Sequence, residues 1–141
     1  AKPVDVEKAA IVIHNWGLRN GAQKTNAGLL EISAAEGQSC FLYFALKETA
    51  LTKLGLAMKA DVGGDVRISW KGVGDTDFKS ENAISFAVAP SQSFAELQKD
   101  LPLSSRVNMV RIAFSGKMKN VKIKEIDFFE KDKNFLPLRF E

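Results

Sequence analysis

Apolar and polar residues alternate through the middle and end of this chain. Val66, Ile68 and Trp70 fall on one side of an extended backbone, with Arg67, Ser69 and Lys71 on the other. Ile84, Phe86 and Val88 repeat the pattern, as do Val110, Ile112 and Phe114 against Arg111 and Ala113. Successive side chains of a strand point to opposite faces, so each segment has one buried and one more polar face. Turn residues separate the segments: Gly63-Gly64-Asp65, Gly72-Val73-Gly74-Asp75 and Ser115-Gly116-Lys117.

The same reading runs along the rest of the chain. Residues 1–8 are polar and include Pro3, an extended lead-in. A strand is predicted over 9–15, a loop over the Gly- and Asn-rich stretch 17–26, and a short strand over 29–34. Cys40 to Leu46 is apolar on both faces, with Cys40, Leu42, Phe44 and Leu46 on one and Phe41, Tyr43 and Ala45 on the other. Such a strand is central and covered on both sides, or it presents aromatics to a groove. A polar connection is expected over 47–53 and a strand over 54–60. Phe94, Leu97 and Leu101 have helical spacing, so 94–101 reads equally as a short helix or a strand.

In the last predicted strand the apolar phase shifts, with Val121 and Ile123 at odd positions and Ile126 and Phe128 at even ones. One extra residue near Lys124-Glu125, a β-bulge, accounts for the shift. The tail 130–141 carries Phe135, Leu136, Leu138 and Phe140. It is too apolar to be free, so it packs on the sandwich or on a partner. About eight or nine strands and at most one short helix define an all-β antiparallel sandwich, a single domain over 1–141.

Composition narrows the function classes. At 141 residues the chain can bury a real core. Its net charge is +3, with lysines and acids interspersed, so basic residues form no stripe for nucleic acid. The single Cys40 excludes an internal disulfide and, among apolar neighbours, reads as a buried thiol. No run of 18 apolar residues offers a membrane span. A basic-then-apolar signal segment is absent from the first residues. His14 is the only histidine, so neither a zinc site nor a Ser-His-Asp arrangement is expected, and the chain does not read as an enzyme. The carboxylate pairs Asp75/Asp77 and Asp127/Glu130 do not by spacing alone make a glycosidase.

The order LAMKAD (56–61), a Gly-rich turn, Val66-x-Ile68-x-Trp70, Asp77-Phe78, Ile84-x-Phe86-x-Val88, Leu101-Pro102, Val110 to Phe114 and Val121-x-Ile123-x-x-Ile126 resembles the galactose-binding-like jelly-roll domains. That group includes many carbohydrate-binding modules of polysaccharide-degrading enzymes. The likeness covers roughly residues 54–129 and consists of strand and turn residues, with no chemical motif. It implies a jelly-roll sandwich, usually non-catalytic and extracytoplasmic. Such a domain binds an oligo- or polysaccharide, or serves as a structural domain docked on a neighbouring domain or partner protein. It implies no cofactor, although some domains of the group bind a structural calcium near the chain ends, for which Asp5, Glu7 and Asp127 are the candidate ligands here.

Two places are candidates for a sugar. Trp16 with Arg19, Asn20 and Asn26 combines an aromatic face with hydroxyl-binding donors. The plainer alternative is that Trp16 plugs one end of the sandwich. If their strands share a concave sheet, Tyr43, Arg67, Ser69 and Arg111 form a polar groove of cationic character, suited to uronic or sulfated sugars. The alternative here is that the arginines are scattered over the surface. Trp70 follows Val66 and Ile68 in phase and is expected in the core.

Overall fold

The computed structural model describes residues 17–19, 21–26, 28–34, 39–102 and 106–139. Eleven strands lie among them and no helix: β1 (Gly17–Arg19), β2 (Gly21–Asn26), β3 (Leu29–Ala34), β4 (Cys40–Thr49), β5 (Lys53–Lys59), β6 (Gly64–Gly72), β7 (Ala83–Val88), β8 (Ala95–Asp100), β9 (Val107–Phe114), β10 (Val121–Glu130) and β11 (Lys133–Arg139). They form two antiparallel sheets. One has the order β1-β4-β9-β6-β7; the other runs β2-β3-β10-β5-β8, with β11 also on β10. β10 is long enough to take two neighbours on one edge. Its first part pairs with β3 through Val121, Lys122 and Ile123, and the remainder pairs with β11 from Glu125 onward.

Alternation explains the core. Leu42, Phe44, Val66, Ile68, Trp70, Val110, Ile112 and Phe114 cover the inner face of the five-stranded sheet. Leu30, Ile32, Leu54, Leu56, Met58, Val121, Ile123, Ile126 and Phe128 answer from the other. Phe44 and Phe128 meet edge-on between the sheets, with ring centroids 5.4 Å apart. The expected bulge is present: Ile123 pairs with Met58 and Glu125 with Ala57, leaving Lys124 as the extra residue. That single insertion keeps Val121, Ile123, Ile126 and Phe128 all facing inward.

Several expectations are corrected. The stretch 17–26, expected as a loop, carries β1 and β2, which pair with β4 and β3. Both are edge strands. An edge strand needs a partner for only one side of its backbone and little apolar surface, so Gly and polar residues serve there. Similarly, the expected connection over 47–53 is shorter, because β4 continues to Thr49, opposite Val107, and β5 begins at Lys53. The ambiguous segment is strand β8, an edge strand whose burial alternates along its whole length. Its helical spacing arises because Phe94 and Leu101 flank the strand rather than belong to it.

Residues 133–139 of the tail form β11, with Leu138 buried and Phe135 against the core. The strand expected over 9–15 lies outside the described residues. Among the described residues no helix is long and apolar enough to cross a membrane.

Cys40 is buried at the start of β4, and burial pushes its thiol up from the usual range while a hydrogen bond to its own backbone opposes the shift. A maleimide is therefore expected to label the native protein at least about a hundredfold more slowly than the denatured chain, since reaction requires opening of the core. Comparable rates in the two states, followed by mass spectrometry, would contradict the burial.

Candidate functional site

The outer face of the five-stranded sheet gathers the side chains that point away from the core. Cross-strand registers place them in rows. Tyr43 of β4 stands opposite Arg111 of β9, which stands opposite Ser69 of β6, which stands opposite Ala83 of β7. The next row runs Phe41, Ala113, Arg67, Ser85. Directly opposed residues share a face. The four residues proposed from the sequence for one groove, Tyr43, Arg67, Ser69 and Arg111, thus come together on one side of one sheet. β1 enters at the same edge, with Gly17 in register with Tyr43 and Arg19 with Phe41.

The 72–82 connection between β6 and β7 reaches onto this face. It begins with a turn in which Asp75 N–H donates to the Gly72 carbonyl (3.1 Å) and Gly72 N–H donates to Asp75 Oδ2 (3.0 Å). Gly74 takes φ = 93° at the third position, where a side chain would be strained. Lys79 Nζ lies 3.4 Å from Asp75 Oδ1, and Arg67 Nη2 donates to the Ser80 carbonyl at 3.2 Å. These ties set Phe78 beside the groove residues, its ring centroid 6.3 Å from that of Tyr43.

Arg111 lies between two rings. Its guanidinium carbon is 4.3 Å from the Phe78 centroid and 5.3 Å from that of Phe41. The Phe41 and Tyr43 centroids are 6.3 Å apart. Phe41, Tyr43, Phe78 and Arg111 are all half-buried, while Ser69 is buried beneath them. Ala45, Ala83, Ala87 and Ala113 occupy other positions of the face, so few large side chains rise around the aromatic cluster. An aromatic platform beside guanidinium and hydroxyl groups can stack on the apolar face of a pyranose and bond its hydroxyls.

Phe41 and Phe78 were not nominated from the sequence. Phe41 was legible, being in phase with Tyr43; Phe78 was visible as the one aromatic in a polar loop, without any sign of where the loop would lie. The other nominated residues divide. Trp16 and Asn20 lie outside the described residues, as do Asp5, Glu7 and His14. Arg19 is placed only by its register, and Asn26 pairs with Leu29 in the other sheet. Trp70 is in the core.

Asp127 belongs to the other sheet's outer face. Its Oδ1 accepts from Arg139 Nη1 at 2.7 Å, while Arg139 Nη2 reaches Glu125 Oε2 at 2.9 Å. A carboxylate engaged with a guanidinium has one oxygen fewer for a cation. Among the described residues no group of three His, Cys, Asp or Glu side chains is arranged to hold a metal ion. The pair Asp75 and Asp77 is likewise used locally, Asp77 Oδ1 accepting from the Phe78 N–H at 2.8 Å.

Two packed antiparallel sheets with this content define the class: a jelly-roll β-sandwich, the fold of the family 29 carbohydrate-binding modules. A point mutant of such a module superposes with a TM-score of 0.63 at 13% identity, over 79% of this chain and 77% of that one. A second mutant, complexed with cellulohexaose, gives 0.60 at 14% identity, over 79% and 77%. A third, complexed with mannohexaose, gives 0.56 at 17% identity over the same shares. At these identities the likeness is one of fold. No protein-family model and no curated protein matches the sequence.

Proposed function

We propose that this chain is a non-catalytic glycan-binding module of a polysaccharide-active system, working outside the cytoplasm. In this reading an oligo- or polysaccharide lies on the outer face of the five-stranded sheet, stacked on Tyr43 and Phe78 and hydrogen-bonded by Arg67 and Arg111, with Ser69 buried beneath the cluster. The observation that carries it is the Phe41–Arg111–Phe78 stack beside Tyr43, an aromatic and guanidinium cluster that covers no core. The fold supports it further, because solved sandwiches of this kind hold hexasaccharides.

The alternative, a domain docked through its C-terminal tail, has less support. Leu138 is already buried in the sandwich and Phe135 packs against the core.

Calorimetric titration with gluco-, manno- and uronic-acid hexasaccharides tests the reading. Saturable binding of at least one is expected. Tyr43→Ala should weaken it by about tenfold or more, as truncation of a central aromatic contact does. A folded protein that binds none of them would leave the docking alternative in possession.

A further inference from the structure

Among the described residues, the cationic charge on the proposed glycan face has no ion-pair partner. Arg111 is half-buried between two rings, and its Nε is buried and donates to no acceptor. The cation has given up hydration at that nitrogen without gaining a counter-charge from any described residue, and the quadrupoles of Phe41 and Phe78 compensate only in part. Arg67, its diagonal neighbour on β6, makes its bonds to uncharged oxygens: the Ser80 carbonyl at 3.2 Å and Ser85 Oγ at 3.4 Å. Lys71 occupies the same face one row beyond Ser69, opposite Met109.

Acids are present around this face. Asp75 pairs with Lys79, Asp77 accepts from the Phe78 N–H, Glu81 is exposed in the connection, and Asp65, opposite Ala87, stands one row from Arg67 on the same face without an ion pair to it. Among the described residues none forms an ion pair with Arg67 or Arg111. The other sheet makes the contrast: there Arg139 is neutralised by both Glu125 and Asp127.

We propose that the missing counter-charge is the ligand's: the module is selective for an acidic polysaccharide, whose oxyanion groups (carboxylate or sulfate) pair with Arg111 and Arg67. This rests on the reading of the same face as a glycan site. Guanidinium matches either oxyanion in two-point geometry, and its rings hold the Arg111 plane in place before the ligand arrives. Diagonal positions on adjacent strands lie roughly 7–8 Å apart, so two anionic groups of one chain can be met at once.

The test uses the intact chain. Uronic-acid hexasaccharides are titrated beside their carboxyl-reduced, neutral counterparts and beside sulfated hexasaccharides, at low and high salt. An acidic oligomer should bind about tenfold or more tightly than its neutral counterpart at low salt, and the advantage should shrink as salt rises. Arg111→Ala and Arg67→Ala should each remove most of that advantage, weakening the acidic oligomer several-fold more than the neutral one, which loses only an uncharged hydrogen bond. Arg67 is exposed, so its variant stays informative should Arg111→Ala fail to fold. A preference among the acidic ligands for the uronate or the sulfated chain identifies the oxyanion and supports the inference either way. Equal, salt-insensitive binding of acidic and neutral oligomers overturns it and leaves the glycan reading standing. No binding of any by folded protein overturns both.

Discussion

Phe128→Ala is expected to lower the unfolding free energy by about 3–5 kcal/mol, the range for removing a fully buried aromatic ring. Phe128 has no exposed surface and sits where the sheets face each other. Its ring meets Phe44 at 5.4 Å across the sandwich and Phe135 of β11 at 6.4 Å. The truncation therefore loosens two joints: the contact between the sheets and the seat of the C-terminal strand. A domain of this size has roughly 5–15 kcal/mol in hand, so the variant should sit near its limit. Denaturant unfolding with tryptophan fluorescence reads the change, Trp70 being buried in the same core. A loss of less than about 1 kcal/mol would mean that the site collapses around the gap, or that β11 does not rest on this ring.

Gly63→Ala is expected to cost about 1–3 kcal/mol or more, far more than Gly64→Ala beside it. A Cβ on Gly63 would run into the Val88 carbonyl oxygen and come within 2.9 Å of Pro90 Cδ and 3.0 Å of Pro90 N. Those atoms belong to the chain leaving β7, and no rotamer change relieves a clash with backbone. At Gly64 the obstructing atoms belong to side chains, the buried Ser115 Oγ and the Cγ of the buried Met118, the latter at 2.6 Å, so relief there needs side chains to repack rather than backbone to move. Neither glycine is required by a left-handed backbone. Thermal melts of the two variants decide the matter: equal shifts would show that the close approach of residues 88–90 to Gly63 is not a constraint.

The pair also shows the limit of reading a turn from composition. Gly63-Gly64-Asp65 is legible in the sequence as punctuation between strands. That one glycine is there for a passing backbone and the other for a crowded side chain depends on residues some 25 and 50 positions away. The bulge is the opposite case. The phase change between Ile123 and Ile126 is a local record of a tertiary demand, because a strand that must keep its apolar residues inward can do so only by adding one residue.

The proposed site divides in the same way. Tyr43, Arg67, Ser69 and Arg111 each showed their face by alternation within their own strand. Their convergence depended on β9 inserting between β4 and β6. Arg111 and Tyr43 are 68 positions apart in the chain and directly opposed in space. Phe78 comes from a connection with no periodicity to announce its direction, and it is placed by the hydrogen bonds of the turn at Gly72–Asp75.

By itself the amino-acid sequence determined the strands with strong apolar alternation, their inward faces, the bulge in β10 and the burial of Trp70 and Cys40, because these follow from a period of two along a single stretch. The edge strands β1, β2 and β8, the strand order of each sheet, and the meeting of two rings and a guanidinium on one outer face were decided only in the tertiary structure. An edge strand owes its existence to a partner's unsatisfied backbone, and a surface cluster to strands distant in sequence. Neither need leave a periodic mark on the residues that form it, as β1 and β2 show, although the edge strand β7 carries one.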